Sequence, residues 1–368
     1  MRLPYLFHRY FLPVAVSLVL LIGSPSSQAQ PAGALGENFL YRVMAGDTLL
    51  DLAQRFTDKP ANWTTLQTLN SVQDPYRMSI GIELKIPFAL IPELPSSAHV
   101  SHVAGEVKVD NAPAKLQAKL AEGSTIRTGP NGFIALTLAD GSVLSIPAAS
   151  DMAIERLRVF KGTGLIDTIL TMRDGALESS VAPQASGVGR FEIRTPVSIT
   201  GVRGTRLRVR SSSDGAQSEV LSGRAQLGSS QADSATLRPD QGAAINAQGK
   251  LLGVRALLPA PQLEEAVRGS QGWAISFPPV PGAASYQVLV ARNEAGSHLV
   301  SSRRFNTPPV SISAPGPGTY YALVRAIDAD GVHGKETIQS FLGQSVLNTS
   351  DGTAVSSGYG QFVQLTDF

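Results

Sequence analysis

The chain has 368 residues, with 31 Lys+Arg against 29 Asp+Glu and no cysteine. That length calls for two or three domains, and the missing cysteine excludes disulfides, thiol catalysis, thiolate metal sites and a lipid-modified N-terminal Cys. Only 16% of the residues are charged, 43% are hydrophobic and 35 are glycine, a balance that suits exported, β-rich chains with many turns.

Arg2, His8 and Arg9 precede an apolar run, Phe11 to Gly23, and Ser27 and Ala29 then supply the small residues of a cut before Gln30. The run is about 12 residues where a membrane span needs roughly 20. Residues 1–29 are therefore expected to be a cleaved export signal, with no membrane anchor retained. Their loss takes away Arg2 and Arg9 and no acid, so the remainder holds equal numbers of basic and acidic groups. A neutral chain gives no bulk attraction to nucleic acid or to an anionic membrane.

Tyr41 to Pro87 reads as a β-α-α-β unit. "YRV" is a short strand, Gly46 turns the chain, and Asp47 or Thr48 caps a helix that carries Leu49, Leu52, Ala53 and Phe56 at helical spacing. A second helix places Trp63, Leu66 and Leu69 on one face and stops near Asn70. "ELKIP" closes the unit as a strand with Leu84 and Ile86 inward. The stretches "GDTLLDLA", "LQTLN", Asp74-Pro75 and "LKIP" resemble a LysM module over residues 38–88, with Ile80-Gly81 where that family usually has Pro-Gly. The resemblance implies binding of N-acetylglucosamine polymers, peptidoglycan above all, in a groove lined by Asp47, Thr48, Leu49, Asn70, Val72 and Ile80. From the residues alone, Asp47 is equally a helix cap and Leu49 equally core. The proline-rich residues 89–98 are expected to be an extended spacer.

Residues 99–258 read as all-β. "GFIALTLADGSVLSIP" is a hairpin turning at Asp140-Gly141, and the same pattern places turns at Asp174-Gly175 and at Gly223. Short strands punctuated by glycine predict a sandwich or roll. "GSTIRTGPNGFIALTLADGSVLSI", "FEIRTPVSITGVRGTRLRV" and "EVLSGRAQL" resemble the FecR domain of Gram-negative envelope proteins, which in the sensor that named the family passes a signal to an anti-sigma segment; without that cytoplasmic segment or a retained membrane helix, this chain is not expected to relay one.

Residues 259–342 alternate apolar positions at Tyr286, Val288 and Val290 and again at Tyr320, Ala322, Val324 and Ala326. With Trp273 as core and Tyr320 or Tyr321 near a tyrosine corner, they resemble a fibronectin type III sandwich. Such modules bind partners or act as spacers. Residues 343–368 are polar and rich in Gly and Ser, and are expected to be flexible.

Groups for catalysis do not converge in the sequence. No Gly-x-Ser-x-Gly elbow, Walker loop or His-Glu-x-x-His helix occurs. His99 and His102, three apart on an extended segment, point to opposite faces. The chain is expected to be a non-enzymatic, periplasmic envelope protein with no cofactor and no metal, binding peptidoglycan and a protein partner. The alternative is a signalling or assembly component whose FecR-like unit senses an outer-membrane or secretion partner. The densest positive run is "TPVSITGVRGTRLRVR". Strand parity sends Leu207 and Val209 to the core, with Ile199 and Val202 assigned there too, and Arg206, Arg208 and Arg210 outward. That outward row is either a solvated face paired with local acids or a docking face for an anionic partner.

Overall fold

In the computed structural model, which describes residues 31–35, 37–180, 190–269, 272–314, 316–343 and 355, the N-terminal unit runs β-α-α-β. The expected export signal lies outside the described residues, as does the C-terminal segment beyond Gly343 apart from Val355. Thr48 caps the first helix, Leu49–Thr57, because its Oγ1 accepts from the Asp51 N–H at 3.1 Å and satisfies a first-turn donor. The second helix, Trp63–Asn70, ends at Ser71 in left-handed backbone. Leu66 is buried but Leu69 is exposed: steps of three fall short of the 3.6-residue turn, so two of them leave the buried stripe. Strands Asn38–Arg42 and Glu83–Pro87 pair antiparallel and send Phe39, Tyr41, Leu84 and Ile86 into one core with Leu49, Leu52 and Phe56. A further strand, Pro31–Leu35, pairs with Asn38–Arg42 on its other edge.

The proline-rich segment is not an extended spacer. Ile91 is buried, and Glu93–Pro95 pairs antiparallel with Arg158–Phe160, at a sheet edge where proline is tolerated. Arg156 and Arg158 both donate to Glu93. The tip of the long hairpin formed by Ser150–Phe160 and Ile166–Ser180 then enters the N-terminal core. Phe160 lies on Phe88 with ring centroids 4.5 Å apart, Leu165 is fully buried, and Lys161 pairs with Asp58. The first two units therefore share a core.

The middle unit is one sheet of sixteen described strands. Its main path passes from Leu251–Ala256 through Gln241–Asn246, Gly215–Ser229, Ser198–Ser212, Arg190–Arg194, Ile166–Ser180, Val143–Ile146, Phe133–Thr137 and Ala98–Ala104 to Lys119–Leu120. Val100, Leu136, Met172, Leu207 and Ile245, from strands far apart on that path, fall in a single apolar cluster. A flat sheet could not bring them together, so the sheet curls over its own face. Phe133–Thr137 and Val143–Ile146 form the expected hairpin around Asp140-Gly141.

The other two expected turns are bends inside long strands. Asp174-Gly175 lies within Ile166–Ser180, where the strand changes partners. Gly175 has φ 95°, and a Cβ there would meet the Ser150 Cα at 2.4 Å. Gly223, φ 82°, sits opposite Gly204, φ 58°, at an irregularity in the hairpin of Ser198–Ser212 and Gly215–Ser229. That bulge inverts the parity of the strand. Val202 faces the core on one side of it, Leu207 and Val209 on the other, and Ile199 is 49% exposed rather than buried.

The C-terminal unit has two sheets over one core: Val267–Gly269, Gly272–Ile275 and Val310–Ile312 against Leu299–Phe305, Ser285–Ala291, Gly318–Ile327 and His333–Gly343. Tyr286, Val288, Val290, Tyr320, Ala322 and Val324 fill it, with Trp273 packed on Phe341 at 5.2 Å. The hydroxyl that bonds to backbone is that of Tyr286, which accepts from the Val280 N–H at 2.8 Å. The Tyr320 hydroxyl has no hydrogen-bond partner among the described residues, so it forms no tyrosine corner. Among the described residues, no helix is long and apolar enough to cross a membrane.

Candidate functional site

Two regions gather the residues singled out in the sequence. The first is the loop pair of the N-terminal unit. The Leu49 N–H donates to the Pro75 carbonyl at 3.0 Å, the Gly81 N–H to Val43 at 2.8 Å, and the Val43 N–H to Ile82 at 2.9 Å. These bonds hold residues 44–48 beside residues 72–82. Most of the expected lining builds this frame. Asp47 accepts from the Met44 N–H at 2.7 Å and from the Tyr41 hydroxyl at 2.8 Å. Burial, then Asp47, pushes the Tyr41 phenol up to about 12, so it stays a donor. Thr48 caps, and the Leu49 side chain is core. Asn70 stands in for a missing strand: its Oδ1 accepts from the Lys85 N–H at 2.7 Å and its Nδ2 donates to the Lys85 carbonyl at 2.9 Å. Val72 is half-buried, bonded through its backbone to Gln67.

Of the six, Ile80 alone presents a large apolar side chain to solvent, at 71% exposure. Sequence reasoning missed Tyr76, which is 73% exposed, and the exposed Leu50 and Ile82. Leu50 and Tyr76 flank the Leu49–Pro75 bond, and Ile80 and Ile82 flank Gly81. An aromatic beside Asp74-Pro75, outside any apolar period, was the available signal.

The second region is the arginine row, and here the expectation of an outward face is corrected. Arg208 is 3% exposed, and the row lies under the C-terminal unit. On three adjacent strands Glu178, Arg208 and Glu219 stand opposite one another. On the covering sheet Glu336, Arg325, Gln287 and Arg304 do the same. Arg206 bonds Glu178 at 2.8 Å and Glu336 at 2.7 Å, and Arg208 bonds the Gly334 carbonyl at 2.8 Å. Arg210 bonds Glu219 at 2.8 Å and the Gly331 carbonyl. Glu219 also accepts from the His333 N–H at 2.9 Å.

This polar layer continues into an apolar one, where Phe133 packs with Leu289, Ala291, Leu299 and Leu323. Beside it His102 stacks on His298 with ring centroids 4.8 Å apart and bonds the Leu299 carbonyl at 2.9 Å. Burial, together with Arg325, moves the Arg208 guanidinium down to about 10. Burial opposes ionisation of Glu178, yet Arg325, Arg208 and Arg206 hold its carboxyl below the usual range. Burial, then Arg210, Arg325 and Arg208, holds His333 neutral, well below the ordinary histidine value.

Residues 124–226 match the FecR protein family. The FecR match therefore begins beside the strand Thr125–Thr128 and ends within Gly215–Ser229, taking in the whole arginine strand. Two crystal structures of a candidate anti-sigma factor from Parabacteroides distasonis ATCC 8503, at 2.50 and 1.65 Å, are similar to this chain. Each is 18% identical with a TM-score of 0.30, over 36% of this chain and 59% of theirs. The chain thus spans about three fifths of the length of the solved structures it matches. Among curated proteins nothing matches it.

Proposed function

We propose that the protein is a non-enzymatic component of the cell envelope, exported to the periplasm, that holds peptidoglycan through its N-terminal unit and offers the rest of the chain to an envelope protein partner. The observation that carries this is the pair of pinned loops with Tyr76 and Ile80 left in solvent. A sugar ring offers an apolar face to an aromatic, and its N-acetyl group suits a small apolar shelf beside backbone donors and acceptors. The LysM resemblance supports the same reading. Asp47, Thr48, Leu49 and Asn70 then frame the groove, and Tyr76, Ile80 and Val72 line it. The reading needs no cofactor or metal.

The FecR match favours a second reading, a signalling or assembly component in which the middle unit senses an envelope partner. In both readings the partner meets a surface other than the arginine row, which the C-terminal unit occupies. That unit, with its fibronectin type III resemblance, and the middle unit form one presenting body.

Sedimentation of the mature protein with purified sacculi tests the first reading. The protein is expected in the pellet, and a Tyr76→Ala/Ile80→Ser variant in the supernatant with an unchanged melting temperature. Wild-type protein left in the supernatant refutes it. Residues 37–91 share a core with Phe160 and Leu165, so a point variant is a cleaner control than their deletion. A specific envelope protein that co-purifies with wild-type protein that leaves sacculi unbound favours the second reading.

A further inference from the structure

A cavity of about 330 Å³ lies between the middle sheet and the C-terminal sheet, within the range that holds small ligands. Leu289 and Leu299 wall it from the C-terminal unit and Ala148 from the middle unit, while Arg208, Arg325 and His333 line its polar end. Arg208 and Arg325 are each 3% exposed. Among the described residues, Arg208 Nε and Nη1 and Arg325 Nε have no hydrogen-bond partner. The Oε2 atoms of Glu219 and Glu336 also lack one, but neither residue lines the cavity. They are the atoms that Arg208 Nε and Nη1 face, at 3.5 and 3.9 Å, ion pairs too long for good hydrogen bonds. In this layer the guanidinium groups of Arg206, Arg208, Arg210 and Arg325 meet the carboxylates of Glu178, Glu219 and Glu336, which leaves one positive charge in excess.

We propose that this cavity binds a small carboxylate with a short apolar body, the carboxylate bonding Arg208 and Arg325 and the body lying against Leu289, Leu299 and Ala148. A buried guanidinium whose N–H groups make only long ion pairs is further stabilised by a charge-assisted, forked partner, and a carboxylate matches that fork. One excess charge calls for a monoanion. A dianion would meet Glu178 and Asp174, which also line the cavity. A bound carboxylate touches both units and so tightens their contact. The inference is independent of glycan binding, which concerns loops of the N-terminal unit that do not line this cavity.

Two sources share this chemistry, a free organic acid and the C-terminus of a short apolar peptide. Calorimetric titration of the full mature protein with benzoate and with acetyl-Ala-Ala covers both, and the neutral amide of each serves as control. Saturable binding of a carboxylate at least about tenfold tighter than its amide is expected, a gap in keeping with one charge-assisted hydrogen bond. Tighter benzoate points to an organic acid, and tighter acetyl-Ala-Ala to a peptide end. Arg325→Gln is expected to weaken binding at least about tenfold, and Ala148→Leu, which fills the cavity without touching charge, to abolish it. The proposal is overturned if neither carboxylate binds, if the amides bind as well, or if both folded variants keep wild-type affinity. Should a variant fail to fold, the carboxylate-to-amide ratio on the wild type decides alone.

Discussion

Replacing Glu219 by Gln removes one negative charge from the layer between the middle and C-terminal units while keeping the side chain's shape. Glu219 is fully buried, 2.8 Å from Arg210 and 3.5 Å from Arg208. At an effective dielectric of about 20 these attractions amount to about 6 and about 5 kcal/mol. The carboxylate's own desolvation offsets several kcal/mol of this, so breaking the buried pair is expected to cost about 3–5 kcal/mol. The chain has two tryptophans, Trp63 in the N-terminal unit and Trp273 in the C-terminal one. In a Trp63→Phe background, Trp273 fluorescence therefore reports the C-terminal unit alone. With a urea slope of about 3 kcal/mol per M, the midpoint of that transition should fall by about 1 M or more. A change below about 1 kcal/mol, the size of an exposed pair, would refute the account of the row as a buried layer of ion pairs.

Three other outcomes follow from the same contacts. His333 has a folded pKa below its unfolded value, so its stability contribution is present above about pH 6.5 and is lost as the pH falls, by up to about 1.4 kcal/mol per unit; melting temperatures between pH 7 and 5 should drop less steeply in His333→Asn. Asn70→Ala removes both hydrogen bonds to the Lys85 backbone and should destabilise the N-terminal unit by about 2 kcal/mol, read from Trp63 fluorescence on unfolding. Phe160→Ala takes a buried ring from the shared core, costs about 3–5 kcal/mol, and should open residues 89–98 to limited proteolysis; wild-type resistance would show that the hairpin tip does not hold the N-terminal unit in place.

Much of the architecture was legible because it depends on local periodicity. The spacing of Leu49, Leu52 and Phe56, the Thr48 cap and the alternation of Leu84 and Ile86 report a backbone geometry that neighbours in sequence already impose. The Asp174-Gly175 and Gly223 turns were misread because a dipeptide records only that left-handed backbone is favoured. Whether that backbone reverses the chain or merely bends a strand depends on what lies across from it, here Ser150 and Gly204. The proposed groove was half legible. Asp47 and Asn70 are distinctive residues, yet their polar groups are consumed by Tyr41, Met44 and Lys85. Tyr76, in no periodic pattern, was left in solvent.

The sequence by itself determined that Arg206, Arg208 and Arg210 share one face of a strand and that Leu207 and Val209 share the other, because side chains alternate along any extended chain. It also held a sign of the cover. "YQVLVA" and "YYALVRAI" are apolar at odd as well as even positions, as strands buried on both faces are. Only the tertiary structure decided which sheet meets the arginines, because Glu336, Arg325 and Gln287 are brought opposite Glu178, Arg208 and Glu219 by the packing of two units far apart in the chain. Desolvation then turns what looks like a basic surface stripe into a buried layer whose charges are held by each other.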